Sequence, residues 1–291
     1  PYDRFRGRIV FPIRDTRGRA IALGGRSLDP KARAKYLNSP ETPLFDKSRT
    51  LFNLRDARAA VGRSGPLLVV EGYMDVIALV QAGFEAAVAP LGTAITEEQL
   101  EQIWRVCPEP LVALDGDRAG LAAAHRLVDL ALPRLVAGRS LRFVLLPPGQ
   151  DPDDLLRAGG RAAMERLIAD SQPVVELLWR RESEGQSLDS PERRAALEAR
   201  LKAHLDRFTD DRLRAHTAIA FRERLDRFFA TARRPQSSAS RGRRNAFPGR
   251  GRAPAPIAAS AAAKASLLAR APDGAAAEAR IRESAILFGL L

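Results

Sequence analysis

The sequence contains almost none of the residues from which disulfide frameworks and zinc sites are built. Its 291 residues include one cysteine, Cys107, and three histidines. A single cysteine excludes an internal disulfide, and these few residues cannot form a clustered Cys/His zinc site. No apolar run approaches the roughly 18 residues that a membrane span needs, and the N-terminus lacks the apolar stretch of a signal peptide. We therefore expect a cytoplasmic protein without a membrane partner, whose chemistry depends on carboxylates, cations or hydroxyls.

The formal net charge of +12 is distributed unevenly along the chain. Residues 1–65 hold 15 basic and 6 acidic side chains, and residues 66–230 hold 21 basic and 26 acidic ones. Residues 231–256 then hold 7 arginines and no acid. Clustered positive charge is typical of proteins that bind polyanions such as nucleic acids. A solvated basic face would give the same counts, so charge alone leaves both interpretations open.

Two patterns of apolar residues predict the fold of the first 160 residues. Residues 1–65 begin with two alternating apolar segments, which predict a β-hairpin that ends in a flexible pair, Gly24 and Gly25. From residue 66, short buried strands alternate with amphipathic helices, which is typical of a parallel sheet with helices on both faces. The predicted strands are residues 67–70, 86–89, 111–114 and 141–146, and the predicted helices are residues 74–82, 96–106 and 119–132.

The remaining residues show three further patterns. Residues 161–230 contain no strand signal and predict an array of helices, the longest of which begins at Ser190-Pro191-Glu192. Residues 231–272 are rich in Arg, Pro, Ser and Ala and contain few large apolar residues, which indicates a disordered linker. Residues 273–291 resume a helical pattern, and we expect them to begin a further domain that is truncated here.

Acidic side chains follow three of the four predicted strands, at the point where each strand ends. They are Glu71 and Asp75 after the first strand, Asp115 and Asp117 after the third, and Asp151 and Asp153 after the fourth. Any one such acid is usually a solvated loop residue or a helix cap. Because the carboxyl ends of parallel strands meet at one edge of a sheet, we expect these acids to lie together.

Several carboxylates at one edge repel each other strongly unless cations neutralise them. A set of oxygen ligands without histidine or cysteine suits Mg²⁺ or Mn²⁺. Metals held in such open sites are used in phosphoryl and nucleotidyl transfer. The acidic pattern therefore predicts a metal-dependent site for one of these reactions.

The same motifs resemble a known family. Glu71-Gly72 and Asp115-Gly116-Asp117 are similar to the acidic motifs of the Toprim domain, which occurs in topoisomerases, primases and some nucleases. Longer matches to bacterial replicative DNA primases of the DnaG type lie in residues 4–13, 24–26, 35–42, 71–75 and 115–120. The resemblance covers residues 2 to about 230.

The resemblance implies an α/β fold, α+β overall. A Toprim-type parallel sheet with helices on both faces would follow part of a basic mixed α/β subdomain and precede a helical subdomain. The implied domains are a truncated basic N-terminal subdomain (1–65), the Toprim domain (66–160), the helical subdomain (161–230), the linker (231–272) and the truncated start of a helicase-binding domain (273–291).

The resemblance also assigns roles to individual residues. Glu71 corresponds to the family's catalytic glutamate, which acts as general base on a 3′-hydroxyl or as a metal ligand. The acids that correspond to the ligands of Mg²⁺ or Mn²⁺ are Glu71, Asp75, Asp115, Asp117, Asp151 and Asp153. The residues that correspond to nucleotide-binding and nucleic-acid-binding positions are Arg26, Lys35, Tyr36, Asn38 and Lys47. For Tyr73, we expect packing at the turn between strand and helix.

The implied function is that of a DNA primase, a nucleotidyltransferase that makes short RNA primers on single-stranded DNA. Its implied partners are the DNA template, ribonucleoside triphosphates and, through the C-terminal domain, a replicative helicase. We expect a monomer at replication forks in the bacterial cytoplasm. The family holds zinc in a separate N-terminal domain, so none is expected in this chain.

Two alternatives share the Toprim motifs. A Toprim nuclease would need the acids but not the motif at residues 35–42, and a non-catalytic Toprim module often loses acids that this chain keeps. A topoisomerase is disfavoured, because it needs a nucleophilic tyrosine on a DNA-gating domain. The three tyrosines here, Tyr2, Tyr36 and Tyr73, all lie in primase-like segments.

Overall fold

The basic N-terminal region forms an antiparallel sheet of three strands. The computed structural model describes residues 3–92 and 94–233, and its first elements are β1 (Arg8–Arg14), β2 (Ala20–Ser27), β3 (Tyr36–Asn38) and α1 (Leu54–Ala60). Strand β2 pairs with both β1 and β3. The turn between β1 and β2 is fixed by the Asp15 carboxylate, which accepts hydrogen bonds from the backbone N–H groups of Arg17 and Arg19. The predicted hairpin is confirmed.

The prediction that Gly24 and Gly25 form the flexible end of this hairpin is wrong. Both residues are buried inside β2, where they pair with β1 and β3. A Cβ atom on Gly25 would lie 2.7 Å from the Phe5 ring, and one on Gly24 would lie 3.5 Å from the Tyr73 ring. The glycines therefore allow aromatic side chains to approach the backbone closely.

The central region forms a five-stranded sheet flanked by helices. Its elements are β4 (Leu68–Val69), α2 (Tyr73–Gln81), β5 (Ala87–Val88), α3 (Glu97–Val106), β6 (Leu111–Leu114), α4 (Arg118–Ala131), β7 (Arg142–Leu145), α5 (Pro152–Ala169) and β8 (Gln172–Pro173). The strand order is β5-β4-β6-β7-β8, and the first four strands are parallel. The four predicted strands and three predicted helices are all present, and each end lies within one residue of its predicted position.

The sheet is covered on both faces, as predicted. Alternate residues along a strand point to opposite faces. Leu67 and Val69 therefore join a core with α3, α4 and the helices that follow the sheet, whereas Leu68 and Val70 join a second core with α2 and α5.

Strand β8 contradicts the prediction that residues 161–230 contain no strand. It pairs antiparallel with the start of β7 at the edge of the sheet. A two-residue strand that includes a proline gives no alternating pattern, and proline is tolerated at a sheet edge. The Arg142 side chain, which donates to the Ser171 hydroxyl at 2.9 Å, helps to hold this strand in place.

The chain after the sheet is helical, with α6 (Val174–Ser183), α7 (Pro191–Leu205) and α8 (Asp211–Arg233). Helix α7 begins as predicted, because Pro191 occupies its first turn and the Ser190 hydroxyl accepts the Arg193 N–H at 3.3 Å. It is not the longest helix of the array, since α7 has 15 residues and α8 has 23.

The predicted domain limits stay predictions. Helix α5 crosses the predicted limit at residue 160, where Gly160 has a φ of 61° and bends the helix. Apart from the end of α8, the predicted linker (231–272) and the predicted helicase-binding segment (273–291) lie outside the described residues. In the part of the chain that the structure describes, no helix combines the length and apolar character that crossing a membrane requires.

Candidate active site

The acidic loops after β6 and β7 are fixed against each other at the carboxyl edge of the sheet. The Gly116 N–H donates to the Gln150 carbonyl at 2.9 Å, and the Gly149 N–H donates to the Gly116 carbonyl at 2.9 Å. A Cβ atom on Gly116 would lie 1.9 Å from the Pro147 carbonyl oxygen. Only glycine fits this position, and its small size keeps the two loops together.

Glu71 and Asp115 are in direct contact across the neighbouring strands β4 and β6. The Asp115 N–H donates to Glu71 Oε1 at 3.3 Å. Asp115 Oδ1 is buried and has no hydrogen-bond partner among the described residues. Burial, together with the charges of Glu71 and Asp151, raises the pKa of Asp115 to about 6 from its usual 3.8. Negative charge at this point is therefore poorly compensated.

Asp75 is the most deeply buried of the predicted acids, with 8% of its surface exposed. It lies in the first turn of α2, where its Oδ2 accepts the Gly72 N–H at 3.1 Å. Burial is the main reason that the pKa of Asp75 rises to about 7, and the charges of Asp151 and Asp115 add to it. This pKa shows that Asp75 shares an electrostatic environment with the acids of the other two loops.

The remaining predicted acids are also bound to local partners. Asp117 and Asp151 cap the N-termini of α4 and α5, respectively. Asp153 forms an ion pair with Arg157 at 2.6 Å. Asp117 is exposed, whereas Asp151 and Asp153 are half-buried, so all three retain surface that a ligand can reach.

The arrangement fits a divalent cation that keeps open coordination positions. Across residues 3–92 and 94–233, no group of three or more His, Cys, Asp or Glu side chains is already arranged to hold a metal ion. Mg²⁺ needs only one or two protein carboxylates, because waters and substrate phosphates complete its shell. The buried Asp115 Oδ1, which has no hydrogen-bond partner among the described residues, is an oxygen that such a cation could bind.

An aromatic cluster holds the N-terminal sheet beside the acidic edge. This name denotes the carboxyl edge of the central sheet with its six predicted acids, Glu71, Asp75, Asp115, Asp117, Asp151 and Asp153. Tyr73 is 6% exposed, and its ring centroid lies 5.3 Å from that of Phe11, 5.4 Å from that of Tyr36 and 5.7 Å from that of Phe52. Burial raises the pKa of Tyr73 to about 12. Tyr73 packs as a neutral side chain at the start of α2, where packing was predicted, and its contacts with the N-terminal sheet were not part of that prediction.

Tyr36, Arg26 and Asn38 lie on the side of the N-terminal sheet that meets the acidic edge. Burial is the largest cause of the raised pKa of Tyr36, and the charge of Asp75 contributes to it. The Arg26 guanidinium lies 5.9 Å from the centroid of the Tyr36 ring. Asn38 donates through Nδ2 to the Leu91 carbonyl at 3.1 Å. The charges of Asp75, Asp151 and Asp153 act on Tyr36, and Arg26 lies beside the Tyr36 ring, whereas Asn38 contacts the loop after β5.

Lys35 and Lys47 are basic side chains of the N-terminal region that a phosphate could reach. Lys35 is exposed and Lys47 is half-buried. Neither ammonium group forms a hydrogen bond or ion pair with another described residue. Neither lysine contacts the acids in the part of the chain that the structure describes.

Two residues that help to shape the candidate site, Gln99 and Asp154, were not among the site residues predicted from the sequence. The buried Gln99 donates to the carbonyls of Lys47 and Thr50, each at 2.9 Å, and so positions the backbone of the loop before α1. Gln99 also belongs to the capping box at the start of α3, where its Oε1 accepts the Thr96 N–H at 3.1 Å, but the predicted helix at residues 96–106 gives no sign of its bonds to the Lys47 and Thr50 carbonyls. Asp154 adds to the charges that raise the pKa of Asp115, and its place in the acidic loop is the only signal for it.

Comparisons with known proteins agree with this geometry. Residues 1–58 match the family model described as DNA primase catalytic core, N-terminal domain, and residues 65–140 match the Toprim domain, which typically binds divalent metal. A DNA primase from Neisseria meningitidis is 49% identical over 197 residues, which are 67% of this chain and 33% of that protein.

Two solved structures show the same fold. The crystal structure of a DNA primase domain from Pseudomonas aeruginosa is 43% identical with a TM-score of 0.70, and the match covers 79% of this chain and 70% of that one. A DnaG primase catalytic domain bound to single-stranded DNA is 41% identical with a TM-score of 0.69, and the match covers 78% and 71%.

The fold and the acidic edge thus define a Toprim protein of the primase type. The chain belongs to the family of DnaG-type DNA primase catalytic cores. It spans about a third of the length of the curated relatives that it matches.

Proposed function

We propose that this chain carries the polymerising activity of a DNA primase, which makes short RNA primers on single-stranded DNA for chromosome replication. The observation that carries the proposal is the contact between Glu71 and Asp115 at an edge where the pKa of Asp75 is also raised. Such an edge suits a reaction in which negative phosphates and cations must be held together.

The reaction joins two nucleotides. The 3′-hydroxyl oxygen of the primer attacks the α-phosphorus of a ribonucleoside triphosphate, the bond from that phosphorus to the bridging oxygen breaks, and pyrophosphate leaves. The hydroxyl proton passes to a base, and we assign that role to Glu71, which lies at the end of β4 beside Asp115.

We propose that the ligands of Mg²⁺ or Mn²⁺ come from the six acids at this edge, with waters and substrate phosphates completing the coordination shell. These acids are Glu71, Asp75, Asp115, Asp117, Asp151 and Asp153. A cation bound there would orient the reacting oxygens and neutralise the charge of the leaving pyrophosphate. The buried Asp115 Oδ1, which has no hydrogen-bond partner among the described residues, supports this proposal.

We assign nucleotide and template binding to the N-terminal sheet and its loops. The residues are Arg26, Lys35, Tyr36, Asn38 and Lys47. The net charge of +9 over residues 1–65, from 15 basic and 6 acidic side chains, supports this assignment because phosphate contacts position a nucleic acid. The similar catalytic domain bound to single-stranded DNA supports a single-stranded template.

The wider assignments follow from the same family. We propose a monomer that works in the bacterial cytoplasm and contacts a replicative helicase through a domain that begins near residue 273. We also propose that the three parts of the catalytic core are residues 1–65, 66–160 and 161–230.

Extension of a preannealed RNA primer on a DNA template tests the proposal. We expect template-dependent incorporation of ribonucleotides with Mg²⁺, and we expect Glu71→Gln to abolish it while DNA binding persists. Glu85→Gln is the matched control, because Glu85 is an exposed glutamate before β5, away from the acidic edge. Cleavage of the template without synthesis would instead favour a Toprim nuclease. DNA binding with neither reaction would favour a non-catalytic module.

A further inference from the structure

A crevice of about 520 Å³ lies between α4 and the loop from β5 to α3. Its apolar walls include Val70, Pro90, Ile95, Leu114, Leu127 and Leu130. Pockets for small ligands typically enclose 300–1,000 Å³ and have mainly apolar walls with a few polar groups. The volume of this crevice falls within that range, and its mainly apolar lining suits an apolar or aromatic ring.

The crevice lies where the strand order changes direction. The chain passes from β4 to β5 on one side and then to β6 on the other side of β4. In open α/β sheets, ligands bind beyond the carboxyl ends of the strands at this point. Val70 and Leu114, which form part of the walls, lie at those two carboxyl ends.

Glu71 links the crevice to the acidic edge. It lines the crevice, and its carboxylate also accepts the Asp115 N–H. A ligand in the crevice would therefore meet Glu71 on one side, with the acids that we assign to the metal beyond it. Under the proposed function, this is the position of the nucleotide that loses a proton to Glu71.

Arg126 provides positive charge at the crevice. It is an exposed residue of α4, and its guanidinium has no hydrogen bond or ion pair with any described residue. By contrast, Arg134, just beyond the same helix, pairs with Glu97. An unpaired guanidinium beside an apolar crevice is suited to a phosphate attached to the bound ring.

We propose that this crevice holds the nucleotide that supplies the 3′-hydroxyl, with its base between the apolar walls and its phosphate at Arg126. The inference rests on the proposed function, because it uses Glu71 as the base. The crevice offers one cation, Arg126, and therefore suits a monophosphate better than an incoming triphosphate.

Binding of AMP to the 291-residue chain tests the inference without requiring catalysis. Ala123 lines the crevice, so Ala123→Leu should fill it and weaken AMP binding at least tenfold. Arg126→Ala should weaken AMP binding and make its salt dependence shallower. The matched controls are Ala122→Leu, an exposed neighbour outside the crevice, and Arg222→Ala, an exposed arginine on α8. Both controls should bind AMP like the wild type.

A probe without a base separates the crevice from the acidic edge. Inorganic tripolyphosphate with Mg²⁺ should bind the wild type and Ala123→Leu equally, which would also show that the variant is folded. Unchanged AMP affinity in both Ala123→Leu and Arg126→Ala would overturn the inference, as would a wild type that does not bind AMP. These results would leave the proposed function intact if primer extension still depends on Glu71. Primer extension that is independent of Glu71 would refute the proposed function whatever AMP does.

Discussion

Replacement of Asp75 by asparagine should stabilise the metal-free protein at neutral and alkaline pH. Asp75 is 8% exposed, and its usual pKa of 3.8 rises to about 7 in the folded chain. Asparagine has nearly the same shape, and its side-chain oxygen can still accept the Gly72 N–H. The substitution therefore removes a buried charge without removing the helix cap.

The sign and size of the effect follow from this pKa. The folded protein binds the Asp75 proton more tightly than the unfolded chain does. Protonation of Asp75 therefore stabilises the fold, and this stabilisation is complete below about pH 4. That stabilisation is lost as the pH rises to about 7, the pKa in the folded state. The difference between a pKa of 3.8 and one of about 7, at 1.36 kcal/mol for each tenfold change in proton affinity, corresponds to about 4 kcal/mol at pH 8. The melting temperature of Asp75→Asn should then exceed that of the wild type by several degrees.

Thermal unfolding in EDTA between pH 4 and pH 8.5 measures this effect. The difference in melting temperature between wild type and Asp75→Asn should widen with pH. Added Mg²⁺ should narrow it, because the cation offsets the Asp75 charge and so stabilises the wild type more than the variant. Asp170→Asn, which changes an exposed aspartate at the end of α5, should show no such difference. Equal melting temperatures for wild type and Asp75→Asn at pH 8 would refute the claim that Asp75 is buried among uncompensated charges.

Two further predictions concern the loops. Gly116→Ala should displace the acidic loop and abolish primer extension, because its Cβ would lie 1.9 Å from the Pro147 carbonyl oxygen; retained activity would contradict the close approach. Lys35→Ala and Lys47→Ala should each weaken DNA or nucleotide binding and reduce the slope of log affinity against log salt by about one phosphate contact. Slopes equal to that of the wild type would make both lysines ordinary surface charge.

The sequence predicts the four parallel strands well because they are short, largely buried and separated by clear helical periodicity. Strand β6 begins and ends where predicted, and the acids that follow β4, β6 and β7 meet because parallel strands end at one edge. The contact between Glu71 and Asp115 depends on the order of the strands in the sheet. The spacing of residues along the chain does not contain that order.

The errors and omissions have a common physical cause, which is packing between distant segments. The pair Gly24 and Gly25 looks flexible in the sequence because the rings that pack against it, Phe5 and Tyr73, are distant from it along the chain. Burial of Asp75 likewise depends on neighbours that its local sequence does not show. Strand β8 exists because β7 offers it an edge, not because its own two residues favour a strand.

The central claim is that the acidic edge binds a cation and that a nucleotide completes the coordination of this cation. Calorimetry tests the claim most directly. We expect Mn²⁺ to bind the free chain weakly and to bind more tightly when ATP is present, because triphosphate oxygens complete the coordination shell. The double variant Asp115→Asn, Asp117→Asn keeps side chains of similar shape and the potential to cap α4, and it should lose this gain. Equal Mn²⁺ affinity in the wild type and the double variant, with and without ATP, would contradict the claim.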